Sequence, residues 1–286
     1  MINILVTGAN GQLAKTIALF KNEVPNYNFV FKSKEELDIT DKKAIDTVFK
    51  TLSFDFCINC AAYTNVEQAE KTPKIAHEIN GEAVKNLAES CLDYNTKFIH
   101  ISTDYVFDGE TNIPYREDEV ANPLNAYGKS KLKGEEHIQN TLEAYYIIRV
   151  SWLYSVFERN FFNTITNFLE NNKKLNITTS QKGTPTSSIS LTHYIFWIMS
   201  SELEYGVYHF SDDGEATWYD FALEIAKQYP NEEKTDLIQP SENYPTVSQR
   251  PVYSVLNNTK RKLTYNRNIN WKKAVKDVFL LREKIK

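Results

Sequence analysis

The first twenty residues leave the chain little freedom of fold. Ile2-Asn3-Ile4-Leu5-Val6 is β-branched, apolar and uncharged, as expected of a parallel strand buried on both faces. It runs into Thr7-Gly8-Ala9-Asn10-Gly11-Gln12-Leu13-Ala14 and then a helical run from Lys15 to Lys21. Strand, glycine turn and helix in that order form a cradle for a pyrophosphate. Gly8 permits the tight turn, Gly11 lets backbone N–H groups approach the anion, and Ala14 allows the helix to pack closely on the strand.

The alternation then continues. Tyr27–Phe31, Phe56–Cys60, Phe98–Ile101 and Tyr145–Val150 read as strands. Asp41 to Leu52, Val66 to Glu70 and Ile75 to Cys91 read as the helices between them, with Asn80 placed beneath the site as a hydrogen-bonding residue. Strands alternating with helices, without internal repeats, predict an α/β fold with a doubly wound parallel sheet. Beyond Ser155 the regular order stops, although Val207–Phe210 reads as a late strand returning to the sheet. A dinucleotide-binding core is expected over 1–152, with elements near 175–211 rejoining it. Residues 153–286 are expected to form mostly a smaller, partly interleaved substrate-binding lobe.

Composition narrows the function. The formal charge of −4 provides no basic field to neutralise phosphates, which argues against a nucleic-acid partner. No apolar run approaches the ~20 residues of a membrane span, and the N-terminal stretch is too short and too poor in positive charge for a signal peptide. Three cysteines cannot build a disulfide framework. Cys57 and Cys60 are spaced as C-x-x-C but fall inside an apolar strand, whereas a redox pair is expected at a helix N-terminus. The five histidines contain no i,i+4 pair, so no metal site is expected. The expected setting is cytoplasmic, reducing and metal-free.

The chemistry concentrates between Ser102 and Lys131. Ser102-Thr103-Asp104-Tyr105-Val106-Phe107 follows a strand and feeds a loop, where open α/β sheets place their ligands. Tyr127 and Lys131 lie one helical turn apart on the same face, and of the 17 tyrosines only Tyr127 has a lysine four residues on. A free phenol titrates near 10, and a neighbouring ammonium is expected to bring Tyr127 toward the working pH as a general acid. Thr103 could donate its hydroxyl to the same carbonyl oxygen. At the end of the second strand stand Lys32-Ser33-Lys34, with no acid before Glu35. NAD-specific sites usually carry an acid there, so NADPH is expected to be accepted, with NADH as the alternative cofactor. Asp38 is a candidate for holding the adenine amino group. Trp152, at a strand's carboxyl end, offers a flat apolar wall.

These residues resemble the extended short-chain dehydrogenase/reductases through Thr7-Gly8-x-x-Gly11-x-x-Ala14 and Tyr127-x-x-x-Lys131. More narrowly, the chain resembles the dTDP-4-dehydrorhamnose reductase family nearly end to end. Gly8 to Leu13, Leu37 to Asp41, Cys60 to Thr64, Ser102 to Phe107, Ser151 to Tyr154, Gly183 to Thr186 and Arg250 to Ser254 carry that likeness. The resemblance implies reduction of the C4 ketone of a dTDP-linked 4-keto-6-deoxy sugar. It assigns the cofactor to Gly8, Asn10, Gly11, Gln12, Leu13, Asp38, Ile39, Ala61, Ala62 and Tyr63, with Tyr127 and Lys131. Thr64, Thr103, Asp104, Tyr105, Trp152 and Arg250 would meet the substrate, Arg250 at its diphosphate. Tyr127 would be the proton donor and Lys131 would lower its pKa while gripping the nicotinamide ribose. A homodimer is allowed. A dehydratase of the same fold needs Glu after the Thr-Asp, where this chain has Tyr105. Another nucleotide-sugar reductase or epimerase of the same fold, and a non-catalytic cofactor-binding subunit, are the remaining alternatives.

Overall fold

In the computed structural model, all residues of 1–286 are described except 232, 243, 244, 268 and 286. The first half runs β1 (Ile2–Thr7), α1 (Gln12–Phe20), β2 (Tyr27–Lys32), α2 (Lys42–Thr51), β3 (Phe56–Asn59), α3 (Val66–Lys71), α4 (Pro73–His77), α5 (Ala83–Asp93), β4 (Lys97–Thr103), α6 (Ala126–Thr141) and β5 (Tyr145–Val150). The second half adds β6 (Leu153–Tyr154), α7 (Phe161–Glu170), β7 (Leu175–Thr178), β8 (Lys182–Gly183), β9 (Thr186–Ser187) and α8 (Ser188–Ser200). It continues with β10 (Gly206–Phe210), β11 (Ala216–Thr217), α9 (Trp218–Ala226), α10 (Glu233–Asp236), β12 (Ile238–Ser241), α11 (Thr259–Thr264) and α12 (Trp271–Ile285).

Six of these strands form one parallel sheet in the order β10-β5-β4-β3-β1-β2. The chain moves one way from β1 to β2 and the other way from β3 to β10. The strand order therefore reverses between β1 and β3, and their carboxyl ends open a crevice there. Apolar faces of α1 and α8 cover one side of the sheet, through Leu13, Ile17, Leu191 and Ile195. Helices α2, α5 and α6 cover the other, through Ile45, Phe49, Leu87 and Ile138. This double coverage explains why the central strands read as unbroken apolar runs.

Within the stretch 175–211, α8 packs on the sheet and β10 pairs with β5, while β7 pairs with β12 outside it. A second core gathers Tyr154, Phe162, Ile165, Phe221, Trp271 and Val278 from β6, α7, α9 and α12. The run read as one helix over Ile75–Cys91 is broken. A π-helical turn, Glu78–Glu82, separates α4 from α5. At that turn Asn80 is fully buried, accepting from the Tyr63 N–H at 2.8 Å and donating to the Tyr63 carbonyl at 2.9 Å and to Ser130 Oγ at 2.9 Å. The distortion serves a side chain pinned in place, a contact that helical periodicity does not reveal.

Candidate active site

Two cavities share the crevice. The outer one, about 300 Å³, is lined by Gly8, Lys34, Asp38 and Ile39. The inner one, about 580 Å³, is lined by Gln12, Leu13, Thr64, Thr103, Asp104, Tyr105, Tyr127, Lys131 and Trp152. Asn10, Gly11, Cys60, Ala61 and Ala62 belong to both walls and join them. Gly8 has φ of 66°, and a Cβ there would come within 2.7 Å of Ala61 Cα, so only glycine lets the two loops meet. Gly11 begins α1 without a side-chain cap, and the first turn of α1 has no acid. The first N–H groups of a helix have no partner within it, and Gly11, Gln12 and Leu13 line the inner cavity, as an anion site needs. The cradle therefore fits a dinucleotide.

Helix α6 positions the tyrosine. Asn125 caps it by accepting from the Gly128 N–H at 2.8 Å. Gly128 lies so close to the turn after β4 that a Cβ would stand 2.1 Å from the Tyr105 carbonyl oxygen. Tyr127 lies beside Thr103, which holds its phenol's pKa down, and its ring meets Tyr105 edge-on at 5.9 Å.

The electrostatics correct one expectation. Tyr127 is not made more acidic by Lys131. Burial pushes its phenol up to about 12; the Thr103 hydrogen bond pulls it down and the Asp104 charge adds to the rise. Lys131 is buried at the cavity wall, its Nζ donating to the Ile101 carbonyl at 2.6 Å and meeting His100 Nε2 at 3.2 Å. Desolvation lowers it to about 8 against the opposing pull of Glu135 and Cys60. In this packed interior the loss of water outweighs the through-space attraction assumed from spacing alone. Burial also raises Asp104 to about 6, although hydrogen bonds from Ser254, Thr103 and Ser151 hold it down. Tyr105 is pushed up by burial as well.

Several predicted site residues have structural partners in this arrangement. The Gln12 amide donates to the Leu153 carbonyl at 3.2 Å and accepts from Ser155 and Asn160, which ties α1 to the second half. Asp38 accepts from the Thr40 N–H and hydroxyl, which lowers its pKa. Tyr63 and Arg250 are not in either cavity's wall. Arg250 pairs with Glu67 at 3.0 Å beside the turn that carries Tyr105. Trp152, in a left-handed turn with φ of 46°, stacks on Trp218 at 3.6 Å with the rings 8° from parallel. A Cβ on Gly183 would come within 2.6 Å of that indole. Phe161 also packs against Trp218, with ring centroids 4.6 Å apart and the rings tilted by 48°. Trp218, Phe161, Asn59 and His100 escaped the sequence reading. An aromatic opening a helix, as in Trp218, was the one available signal, and core packing explains that pattern equally well.

A crevice at the strand-order reversal, a glycine cradle and a Thr–Tyr–Lys cluster define a short-chain dehydrogenase/reductase. The family model for the RmlD substrate binding domain matches residues 2–282. The chain belongs to that family, which is that of the dTDP-4-dehydrorhamnose reductases. The dTDP-4-dehydrorhamnose reductase of Aggregatibacter actinomycetemcomitans is 32% identical over 97% of this chain and 98% of its own length. A crystal structure of the Clostridium acetobutylicum reductase superposes with a TM-score of 0.91 at 35% identity, covering 99% of this chain and 100% of that one. The Bacillus anthracis reductase, solved in complex with NADP, gives 0.91 at 31% identity, covering 98% and 100%. No helix of the described residues is long and apolar enough to cross a membrane, and among them no His/Cys/Asp/Glu cluster could hold a metal ion.

Proposed function

We propose that this protein is an NAD(P)H-dependent reductase of the C4 ketone of a dTDP-linked 4-keto-6-deoxy sugar, converting dTDP-4-dehydro-L-rhamnose to dTDP-L-rhamnose. The observation that carries it is that Tyr127 and Thr103 line the same cavity as the glycine cradle. Full-length kinship with the reductase family supports it. NADPH is the assigned cofactor: at the outer wall beyond β2, Lys34 precedes the acids Glu35 and Asp38; NADH is the alternative.

The nicotinamide, when bound, supplies hydride to the ketone carbon. Tyr127 hands its phenolic proton to the ketone oxygen, and a phenol held near 12 remains protonated for that task at neutral pH. Thr103 and Asp104 orient the sugar, and the Trp152 face limits where its ring can lie. Thr64 and Tyr105 complete the substrate wall. Arg250, next to that wall, is assigned to the diphosphate, which would have to draw it from Glu67. Asn10, Gly11 and Leu13 serve the pyrophosphate, while Gly8, Asp38, Ile39, Ala61, Ala62 and Tyr63 serve the adenosine side and the cleft floor. The test is NADPH oxidation with a panel of dTDP- and UDP-linked 4-keto-6-deoxyhexoses, followed by product stereochemistry. Turnover of the dTDP-4-dehydro-L-rhamnose member is expected, and no oxidation with any member would sink the reading.

A further inference from the structure

Beneath the cleft floor a line of buried polar side chains crosses the sheet from β1 to α6. Thr7 Oγ1 donates to Asn59 Oδ1 at 2.6 Å, and the Ala61 backbone N–H donates to the same oxygen at 3.2 Å. Asn59 Nδ2 meets His100 Nδ1 at 3.1 Å, and His100 Nε2 meets Lys131 Nζ at 3.2 Å. Thr7, Asn59, His100 and Lys131 are each 2% exposed or less, so these atoms must satisfy one another.

The backbone N–H of Ala61 fixes the direction of the whole line. It can only donate, so the Asn59 oxygen must face it and the Asn59 nitrogen must face His100. That nitrogen also only donates, so His100 Nδ1 must accept. Burial and the nearby Lys131 hold the imidazole neutral, and a neutral ring with Nδ1 accepting carries its hydrogen on Nε2. The Nε2–H then points at Lys131 Nζ, where an ammonium has no lone pair to receive it and an amine has one. We propose that His100 is a positioning residue for Lys131, locked as a donor by Asn59 so that it favours the amine form of the lysine over the ammonium.

The charge on Lys131 thus depends on a residue of β4 that never touches the cavity. Around Lys131 stand Glu135 on its own helix, Cys60 after β3 and His100 on β4. Glu135 is already engaged by Arg149 at 2.7 Å and by the Ser102 hydroxyl. Burial acts in the same direction as His100. The role this gives Lys131 in turnover rests on the reductase reading; its protonation can be measured without that reading.

The experiment follows the Cε chemical shift of isotope-labelled lysines against pH in the full-length protein, with Lys131→Arg for assignment. Lys131 in the parent is expected to titrate at about 8. In His100→Gln, whose amide oxygen can accept from an ammonium, the midpoint is expected to rise by about one unit or more. An unchanged midpoint in a folded His100→Gln protein, or a parent midpoint at the ordinary lysine value, would overturn the proposal. Imidazole nitrogen shifts of the parent give a check that needs no variant. The Nε2–H tautomer of His100 is expected, and the Nδ1–H tautomer overturns the proposal. Under the reductase reading, the alkaline limb of kcat shifts upward in His100→Gln by the same amount as the midpoint, and a limb that stays put also overturns it. Absence of sugar-dependent NADPH oxidation in the parent bears on the reductase reading alone, because the titrations do not use substrate.

Discussion

At Tyr127 the decisive quantity is how firmly the phenol keeps its proton. Burial sets that at about 12, so the residue is a stored acid through the neutral range. Tyr127→Phe removes the transferred proton and little volume. It should lower kcat by roughly 10²–10⁴-fold while leaving cofactor affinity near its parent value, measured by steady-state kinetics alongside NADPH fluorescence titration. The pH profile should show the same division. Because Lys131 is lowered to about 8, the charge with which it is expected to grip the nicotinamide ribose is lost as pH rises through that value, and kcat should fall there first. Ionisation of the phenol should appear only well above it. A profile flat from pH 7 to beyond 10 would contradict both assignments.

Among the elements, α6 and the turn after β4 act as a pair. Their spacing is set by Gly128, whose missing side chain lets the helix seat against the Tyr105 carbonyl. Gly128→Ala would force that backbone oxygen away. It should destabilise the fold by about 1–3 kcal/mol and lower kcat more than it alters cofactor binding, as read by denaturant unfolding and kinetics. The spacing of Tyr127 and Lys131 on one helix face was legible from sequence. The π-helical turn at Glu78–Glu82 was not. It exists because Asn80 reaches across to Tyr63 and Ser130, and such a reach leaves no trace in a hydrophobic period.

On the scale of the whole molecule, the sheet and the second core meet over the inner cavity. There Trp152, just after β5, stacks on Trp218 at the start of α9, so Trp218→Ala should raise KM for the sugar nucleotide by roughly tenfold, with cofactor affinity little changed, if that stack shapes the substrate wall. Equal loss of both affinities would mean that the stack only holds the lobe in place. Asp212, fully buried after β10 and accepting from the Ser187 N–H at 2.9 Å, offers a test of global stability. Burial raises it to about 7, while in the unfolded chain it titrates near 4. The native state therefore holds a proton that the unfolded state has released. This opposes folding increasingly as pH rises through that window and not at all below it. Asp212→Asn should gain stability relative to the parent at pH 8, by up to about 4 kcal/mol, and that advantage should vanish toward pH 4 in paired unfolding curves. From residue order alone came the parallel sheet, the glycine cradle and the tyrosine–lysine helix, because each depends on neighbours within a few positions. The tertiary structure alone decided the Trp152–Trp218 pairing, the His100–Lys131 contact and the acidity of Tyr127. Those depend on which distant side chains are packed together and on how completely water is removed from them.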